Sequence, residues 1–243
     1  MDTIDRTTAL SSLVTQQPAF AAVLERLNLD YCCGGDQSLE AACRAEDLDP
    51  DTVVRLLNAS LGADRQTPSS ASTDWTDAPL GALIDHIEAT HHAYLRRTLP
   101  RLADRLATVA RAHGTATPWI RDVKAIFDEL KSDMEAHIEK EEDLVFPFIR
   151  SCTEGNAPPP PEALDGDPIA LMEEEHDATG TALQRMRDLS DGFSAPADAC
   201  ATFQAALTDL ENLEADTHRH VHKENHILFP RARALPSVPT PLN

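Results

Sequence analysis

The segment His-Ile-Glu-Lys-Glu-Glu-Asp-Leu-Val-Phe-Pro, residues 137–147, decides the predicted fold because a second version follows further along the chain. Residues 220–230 read His-Val-His-Lys-Glu-Asn-His-Ile-Leu-Phe-Pro. Both copies contain H-x-x-K-E-x4-F-P, with apolar residues at matching places between the shared positions. One helix end therefore occurs twice, which predicts an internal structural repeat.

Two further histidines extend this repeat into a pair of helical hairpins. His92 lies 45 residues before His137, and His176 lies 44 residues before His220. Apolar residues at helical spacing run between these positions, and polar or proline-rich segments separate them. An up-down four-helix bundle buries four such amphipathic helices economically. We predict helices at 78–112, 117–150, 168–190 and 197–233.

Composition agrees with an all-α fold and excludes several partners. Apolar residues make up 42% of the 243 residues and aromatic residues only 5%, a balance more typical of helices than of sheets. The 41 acidic against 21 basic residues give a formal charge of −20. Nucleic acids and anionic membranes both require clustered lysine and arginine. We therefore expect neither as a partner.

The chain shows no signal peptide and no apolar run long enough to cross a membrane, so we expect a cytoplasmic protein. Five cysteines are too few for a disulfide framework, and we expect reduced thiols. The predicted domains are a small helical dithiol domain, a linker, the bundle and a short tail, at residues 1–62, 63–77, 78–236 and 237–243.

A histidine and a glutamate four residues apart lie on one helix face and can bind the same metal ion. His137 and Glu141 fall within the apolar stripe of their helix, and His220 and Glu224 do the same in the second copy. A carboxylate directed into an apolar core costs several kcal/mol unless a cation or a metal compensates it. No lysine or arginine lies on these stripes, so the sequence predicts metal.

The donor set favours a dinuclear site. The predicted ligands are His137, Glu141, His176, His220 and Glu224, with either His91 or His92 as the sixth. Helical phase is centred nearer His91, whereas the 45-residue spacing marginally favours His92. Imidazole and bridging carboxylate suit two first-row ions, each with two histidines and both sharing the two glutamates. We expect two irons with a solvent-derived oxygen bridge, with manganese or zinc as alternatives.

Other histidines lie away from these stripes. His218, His222 and His226 fall on the opposite side of their helix from His220, and we expect each of them either on a solvated face or next to the ligands as a supporting residue. His86 and His113 have no stripe partner.

The chain resembles the RIC family of iron-sulfur cluster repair di-iron proteins. The resemblance rests on Tyr31-Cys32-Cys33-Gly34-Gly35 and on both His-x3-Glu motifs with their Phe-Pro ends, and it spans nearly the whole chain. It implies a hemerythrin-like bundle with two non-haem irons bridged by glutamates. The implied ligands are His92, His137, Glu141, His176, His220 and Glu224. The resemblance therefore favours His92 over His91 as the sixth ligand. His91 stands where the family usually has an aromatic residue.

The family also implies a function that spacing alone does not show. It implies repair of iron-sulfur clusters damaged by nitric oxide or oxidants, through iron donation or reduction of nitric oxide to nitrous oxide. Iron-sulfur proteins would be the clients, nitric oxide or oxygen the small ligands, and a homodimer the assembly. The alternative is a hemerythrin-like module that binds or senses oxygen, nitric oxide or iron without turnover. A hydrolytic dinuclear site is disfavoured because the ligand set leaves no evident base.

Cys32 and Cys33 are adjacent, and a disulfide between neighbours strains the backbone, so we expect a functional thiol pair. These thiols would pass electrons, accept nitric oxide or carry iron, and Gly34-Gly35 would turn the chain sharply and expose the sulfurs. The competing interpretation is a buried pair that only packs a small domain. Three isolated cysteines are expected to be structural: Cys43, Cys152 and Cys200.

Overall fold

A computed structural model describes residues 4–64, 74–156 and 167–235. The four prolines at 158–161, most of the predicted linker and the predicted tail lie outside these ranges. The described residues form helices and no β-strand, with a single isolated bridge between Ala9 and Ser38. This confirms the predicted all-α class.

Eleven helices are present in the described part of the chain. Their bounds are α1 Leu10–Gln16, α2 Ala21–Arg26, α3 Leu39–Ala45, α4 Pro50–Asp64, α5 Leu80–Ile87, α6 Ala93–His113, α7 Trp119–Lys140, α8 Phe146–Thr153, α9 Pro168–Leu189, α10 Ala201–Lys223 and α11 Phe229–Arg233. A 3₁₀ turn spans Pro18–Phe20.

Three π-helical turns join some of these helices into longer rods. They span Glu88–His92, Glu141–Val145 and Glu224–Leu228. Each turn ends or begins at a predicted ligand: His92, Glu141 or Glu224. A π-turn contains one more residue than an α-turn, so it shifts the helical phase of everything after it. Single π-turns are frequent at functional sites.

The chain divides into two compact units. One contains Met1–Pro79 with His218–Pro230, and the other contains Leu80–Thr217 with Arg231–Asn243. The second unit is the helical bundle, whose core follows the predicted apolar stripes of α6, α7, α9 and the first part of α10. Its almost fully buried side chains include Phe127, Leu106, Ile120, Leu210 and Phe203.

The first unit has a core of its own, built from α1 to α4 and from Val221. Ser38 caps α3 by accepting a hydrogen bond from the backbone N–H of Ala41, as its place before an apolar-periodic stretch predicts. Asp49 accepts from the backbone N–H of Thr52 at the start of α4, where Pro50 takes the first helical position.

None of the helices in the described ranges is both long and apolar enough to cross a bilayer.

Candidate metal centre

The six residues that the family resemblance implies as ligands are all buried. They are His92, His137, Glu141, His176, His220 and Glu224. Each lies on a long helical rod of the chain, and three lie at the boundary of a π-turn. His91 is buried as well, so burial does not separate it from His92. Both histidines lie in the π-turn at Glu88–His92, which shifts the helical phase at this point.

Glu141 lies at the centre of the contacts among the bundle residues. One carboxylate oxygen is 3.2 Å from Nε2 of His92, and the other is 3.4 Å from Nε2 of His137. Nε2 of His137 is in turn 3.0 Å from Nε2 of His176. Ring nitrogens and carboxylate oxygens therefore converge in one small volume.

The second copy of the motif repeats the pairing of histidine with glutamate. Nε2 of His220 lies 2.9 Å from Oε1 of Glu224. Ligand atoms that approach one another within 4.8 Å form two groups of four. Both groups contain Glu141 and Glu224; one adds His92 and His220, and the other adds His137 and His176. A buried cluster of this composition suits metal ions.

Two outer carboxylates orient the ligand histidines. Nδ1 of His92 lies 2.7 Å from Glu142, which also pairs with both terminal nitrogens of Arg96. Nδ1 of His137 lies 2.8 Å from Glu175, which also pairs with Lys140. Each carboxylate accepts a hydrogen bond from the Nδ1–H group, so each imidazole presents the lone pair of Nε2 to the cluster. Metal-binding histidines ordinarily have such partners.

Three carboxylates of the site, Glu141, Glu142 and Glu175, have pKa values below their usual range. Burial raises the pKa of Glu141, but the charges and hydrogen bonds of His137 and His92 outweigh it and hold that pKa well below the usual range. Hydrogen bonding from Arg96 lowers the pKa of Glu142. The hydrogen bond from His137 lowers the pKa of Glu175.

The structure gives His91 a different partner from His92. Nδ1 of His91 is 3.1 Å from both carboxylate oxygens of Asp216, and its ring contacts that of His86 edge to face. His91 is not in either group of four, whereas His92 is.

His222 is buried, so the expectation of a solvated position is wrong for this residue. Its Nδ1–H donates to the carbonyl of Tyr31, and its Nε2 lies 3.2 Å from the Thr15 hydroxyl. His226 donates from Nε2 to the carbonyl of Cys32 at 2.6 Å. Helical phase identified the face of α10 opposite the ligands, but it could not show that N-terminal residues cover that face.

The cysteine pair lies in a tight turn, and its two thiols differ in access. Cys32 is buried and Cys33 is half-buried, with their sulfurs 3.8 Å apart, so the expectation that the glycines expose both sulfurs is wrong for Cys32. The hydrogen bond to Cys33, together with burial, raises the pKa of the Cys32 thiol well above its usual range.

The two glycines allow close approach within the turn. A Cβ on Gly35 would lie 2.5 Å from the carbonyl oxygen of Tyr31 and 2.7 Å from Nε2 of His226. A Cβ on Gly34 would lie 3.0 Å from a carboxylate oxygen of Asp30. A side chain at position 35 would therefore clash with the backbone, whereas one at position 34 would require the Asp30 carboxylate to shift by a few tenths of an ångström. Neither glycine has a positive φ.

Comparison with known proteins agrees with this architecture. Residues 83–232 match the hemerythrin HHE cation binding domain, and residues 6–61 match a domain of unknown function, DUF542. The iron-sulfur cluster repair protein YtfE of Enterobacter sp. (strain 638) is 33% identical over 225 residues, which cover 93% of this chain and 96% of the relative. The chain belongs to this family of hemerythrin-like iron-sulfur cluster repair proteins. The family resemblance noted in the sequence is thereby confirmed.

Other members of the repair family show the same extent of similarity. YtfE of Escherichia coli O157:H7 is 32% identical over 93% of this chain and 96% of its own length. The iron-sulfur cluster repair protein ScdA of Staphylococcus haemolyticus (strain JCSC1435) is 29% identical over 90% of this chain and 95% of its own length. The similarity therefore includes both matched domains.

Several residues with clear roles in the site escaped the sequence analysis. Glu142 and Glu175 are each next to a predicted ligand in the sequence, and this position could have identified them. His222 and His226 stand four residues apart and therefore share a face, a second usable signal. Asp30 accepts hydrogen bonds from the backbone N–H groups of Cys32, Cys33 and Gly34. No comparable signal marks this role, because it depends on the path of the turn.

Proposed function

We propose that this protein repairs iron-sulfur clusters damaged by nitrosative or oxidative stress, in the cytoplasm, by supplying iron, by reducing nitric oxide, or by both. The observation that carries this proposal is the pair of buried ligand groups that share Glu141 and Glu224. Relatives of nearly the same length that are named iron-sulfur cluster repair proteins support it. The clients would be iron-sulfur proteins, and the assembly would be a homodimer.

We propose two iron ions as the resident metal, with Glu141 and Glu224 as bridging ligands. Two imidazole nitrogens bound at about 2.1 Å lie about 3.0 Å apart in octahedral coordination and about 3.4 Å apart in a tetrahedron. Nε2 of His137 and Nε2 of His176 are 3.0 Å apart, which is close enough for one ion to bind both rings. The donor set contains no thiolate, as a structural zinc site commonly would.

The residues around the cluster would prepare it for redox chemistry. Two bridged irons would supply reversible electron transfer and open positions for nitric oxide or oxygen. Glu142 and Glu175 accept the Nδ1 protons and thereby hold His92 and His137 in one tautomer. Phe146 stacks on the ring of His92, with centroids 5.7 Å apart, and restricts water there.

We propose that Cys32 and Cys33 form a thiol relay of the dithiol domain at 1–62, joined by the linker at 63–77 to the hemerythrin-like domain at 78–236. Cys33 would act first because it is half-buried and Cys32 is buried. Replacing both cysteines by alanine should abolish cluster repair and leave the iron of the histidine and glutamate cluster in place. Unchanged repair by this variant would contradict the relay.

The deciding experiment combines metal analysis and Mössbauer spectroscopy on full-length protein from iron-replete cells with a repair assay on a [4Fe-4S] enzyme inactivated by nitric oxide. We expect two irons per chain and restored client activity. Glu141→Gln should lower both the iron content and the restored client activity. Glu139→Gln, at a nearby exposed position, should lower neither quantity. Two zinc ions, or no metal, would overturn the di-iron proposal. Binding of nitric oxide or oxygen without repair would favour the non-turnover alternative.

A further inference from the structure

Asp30, Cys32 and Cys33 bring three potential ligand atoms together, apart from the six residues of the histidine and glutamate cluster. The two sulfurs and a carboxylate oxygen all lie within 4.8 Å of one another. The sulfurs are 3.8 Å apart, and Sγ of Cys32 is 3.1 Å from Oδ1 of Asp30. These three residues lie within four consecutive positions of the sequence, so the turn alone supplies the whole set.

Backbone hydrogen bonds fix the Asp30 carboxylate in this position. Oδ1 accepts from the backbone N–H groups of Cys32 and Cys33 at 2.9 and 3.0 Å, and Oδ2 accepts from Gly34 at 2.7 Å. A carboxylate has about four lone-pair directions, so it can accept these bonds and still bind a further partner. The turn therefore holds the Asp30 carboxylate, a potential metal ligand, in a fixed position.

Residues 218–230 hold the turn from its other side. His222 donates to the carbonyl of Tyr31, and His226 donates to the carbonyl of Cys32. Both carbonyls belong to the peptide units next to the thiols. The backbone that carries the sulfurs is thus anchored at two successive residues.

The spacing of the sulfurs matches that of two thiolates on one tetrahedral ion. At a metal–sulfur distance of about 2.3 Å, a tetrahedral angle separates two sulfurs by about 3.8 Å. An oxygen ligand at about 2.0 Å would lie about 3.5 Å from each sulfur. The sulfurs already have this separation, Oδ1 of Asp30 is 3.1 Å from Sγ of Cys32, and all three ligand atoms lie within 4.8 Å of one another.

We propose that Asp30, Cys32 and Cys33 form a second metal site, for a thiophilic divalent cation, with a fourth coordination position open to exchange. This inference deepens the proposed relay by naming Asp30 as a ligand and ligand exchange as the transfer step. Binding forms two metal–sulfur bonds and one metal–oxygen bond and releases the two thiol protons to solvent. No electron transfer is involved. A thiolate of a client could enter the open position and take the ion.

The test uses cobalt(II), because thiolate-to-cobalt charge transfer absorbs strongly in the near ultraviolet and histidine or carboxylate ligands do not produce this band. Full-length protein already loaded with iron would be titrated with cobalt(II) under reducing, anaerobic conditions. We expect the band to appear at one equivalent. It should disappear in Cys33→Ser, a small change at a half-buried position.

Asp30→Asn examines the third ligand, with Asp36→Asn as the matched control at an exposed position in the same segment. We expect Asp30→Asn to weaken cobalt binding on the order of tenfold or more, with Asp36→Asn and Cys200→Ser unchanged. Circular dichroism would establish that each variant is folded. Equal affinity in Asp30→Asn would remove Asp30 from the site, and absence of the band in the unsubstituted chain would overturn the proposal.

The outcome is independent of cluster repair. A charge-transfer band in a protein that fails to repair clusters would support the second site and contradict the proposed function. Cluster repair without any charge-transfer band would support the proposed function and contradict the second site.

Discussion

Glu142 shows how much a single side chain outside the ligand set can contribute. It accepts a hydrogen bond from Nδ1–H of His92, and both terminal nitrogens of Arg96 hold it in place. The hydrogen bond from Arg96 keeps the pKa of Glu142 low, so the acceptor stays anionic. An anionic acceptor makes the bound imidazole a better electron donor to metal.

We expect Glu142→Gln to lower the affinity of the cluster for iron about tenfold or more, because the neutral amide is a weaker acceptor and leaves Arg96 without its carboxylate. Competition with a coloured iron chelator would measure the affinity. Asp143→Asn, at the exposed neighbouring position, is the control and should match the unsubstituted protein. Equal affinities for both variants would show that Glu142 does not influence the cluster.

At the scale of the element, α4 begins with a titratable cap. Asp49 accepts hydrogen bonds from the hydroxyl and the backbone N–H of Thr52, and these bonds lower its pKa from the ordinary value of 3.8. A carboxyl group with a lower pKa in the folded state stabilises the fold above pH 3.8 and loses this contribution as the pH falls through the folded value.

Asp49→Ala should therefore reduce the free energy of unfolding at pH 7 and differ less from the unsubstituted chain near pH 3. Urea unfolding at both pH values would measure the difference. Glu46→Ala, at another exposed position of the same unit, should show a smaller effect. A deficit that stays constant with pH would mean that the ionised carboxylate is not responsible.

Helices α9 and α10 are joined by an ion pair whose carboxylate is buried. Glu214 is 4% exposed, and Arg187 donates to both of its oxygens. Removal of one partner leaves an uncompensated buried charge, which costs roughly 3–5 kcal/mol. Arg187→Met should therefore lower the thermal midpoint strongly, whereas Arg185→Met, at an exposed position, should change it little. Similar midpoints would show that water reaches Glu214.

At the scale of the whole molecule, the N-terminal helices and residues 218–230 share one core. Val221 is 2% exposed and packs into the apolar cluster of α1 to α4, and His222 is buried beside it. Two predicted ligands, His220 and Glu224, stand on this same stretch of chain. The N-terminal domain is therefore tied to part of the metal-binding motif, and it does not only carry the thiols.

Deletion of residues 1–62 should lower both the thermal midpoint and the iron content, because it exposes Val221 and removes the partners of His222 and His226. Calorimetry and metal analysis would measure these losses. The full-length double variant Cys32→Ser, Cys33→Ser is the control and should keep the cluster iron. A truncated protein with unchanged stability and two irons would show that residues 218–230 need no N-terminal partner.

The sequence by itself determined the all-α class, the repeated hairpins and the types of ligand, because helical period and motif spacing are local properties of the chain. Helix starts at Ser38 and Asp49 were predictable for the same reason.

Only the tertiary structure decided what surrounds the cluster, and it separates His92, which lies in the cluster, from His91, which helical phase and spacing had left as an alternative. The π-turn at Glu88–His92 changes the phase on which the comparison of His91 with His92 relied. The burial of His222 depends on a segment about 190 residues away, and the approach of Asp30 to Cys32 and Cys33 depends on the backbone path of the turn. Such contacts follow from packing between distant parts of the chain, which local periodicity does not encode.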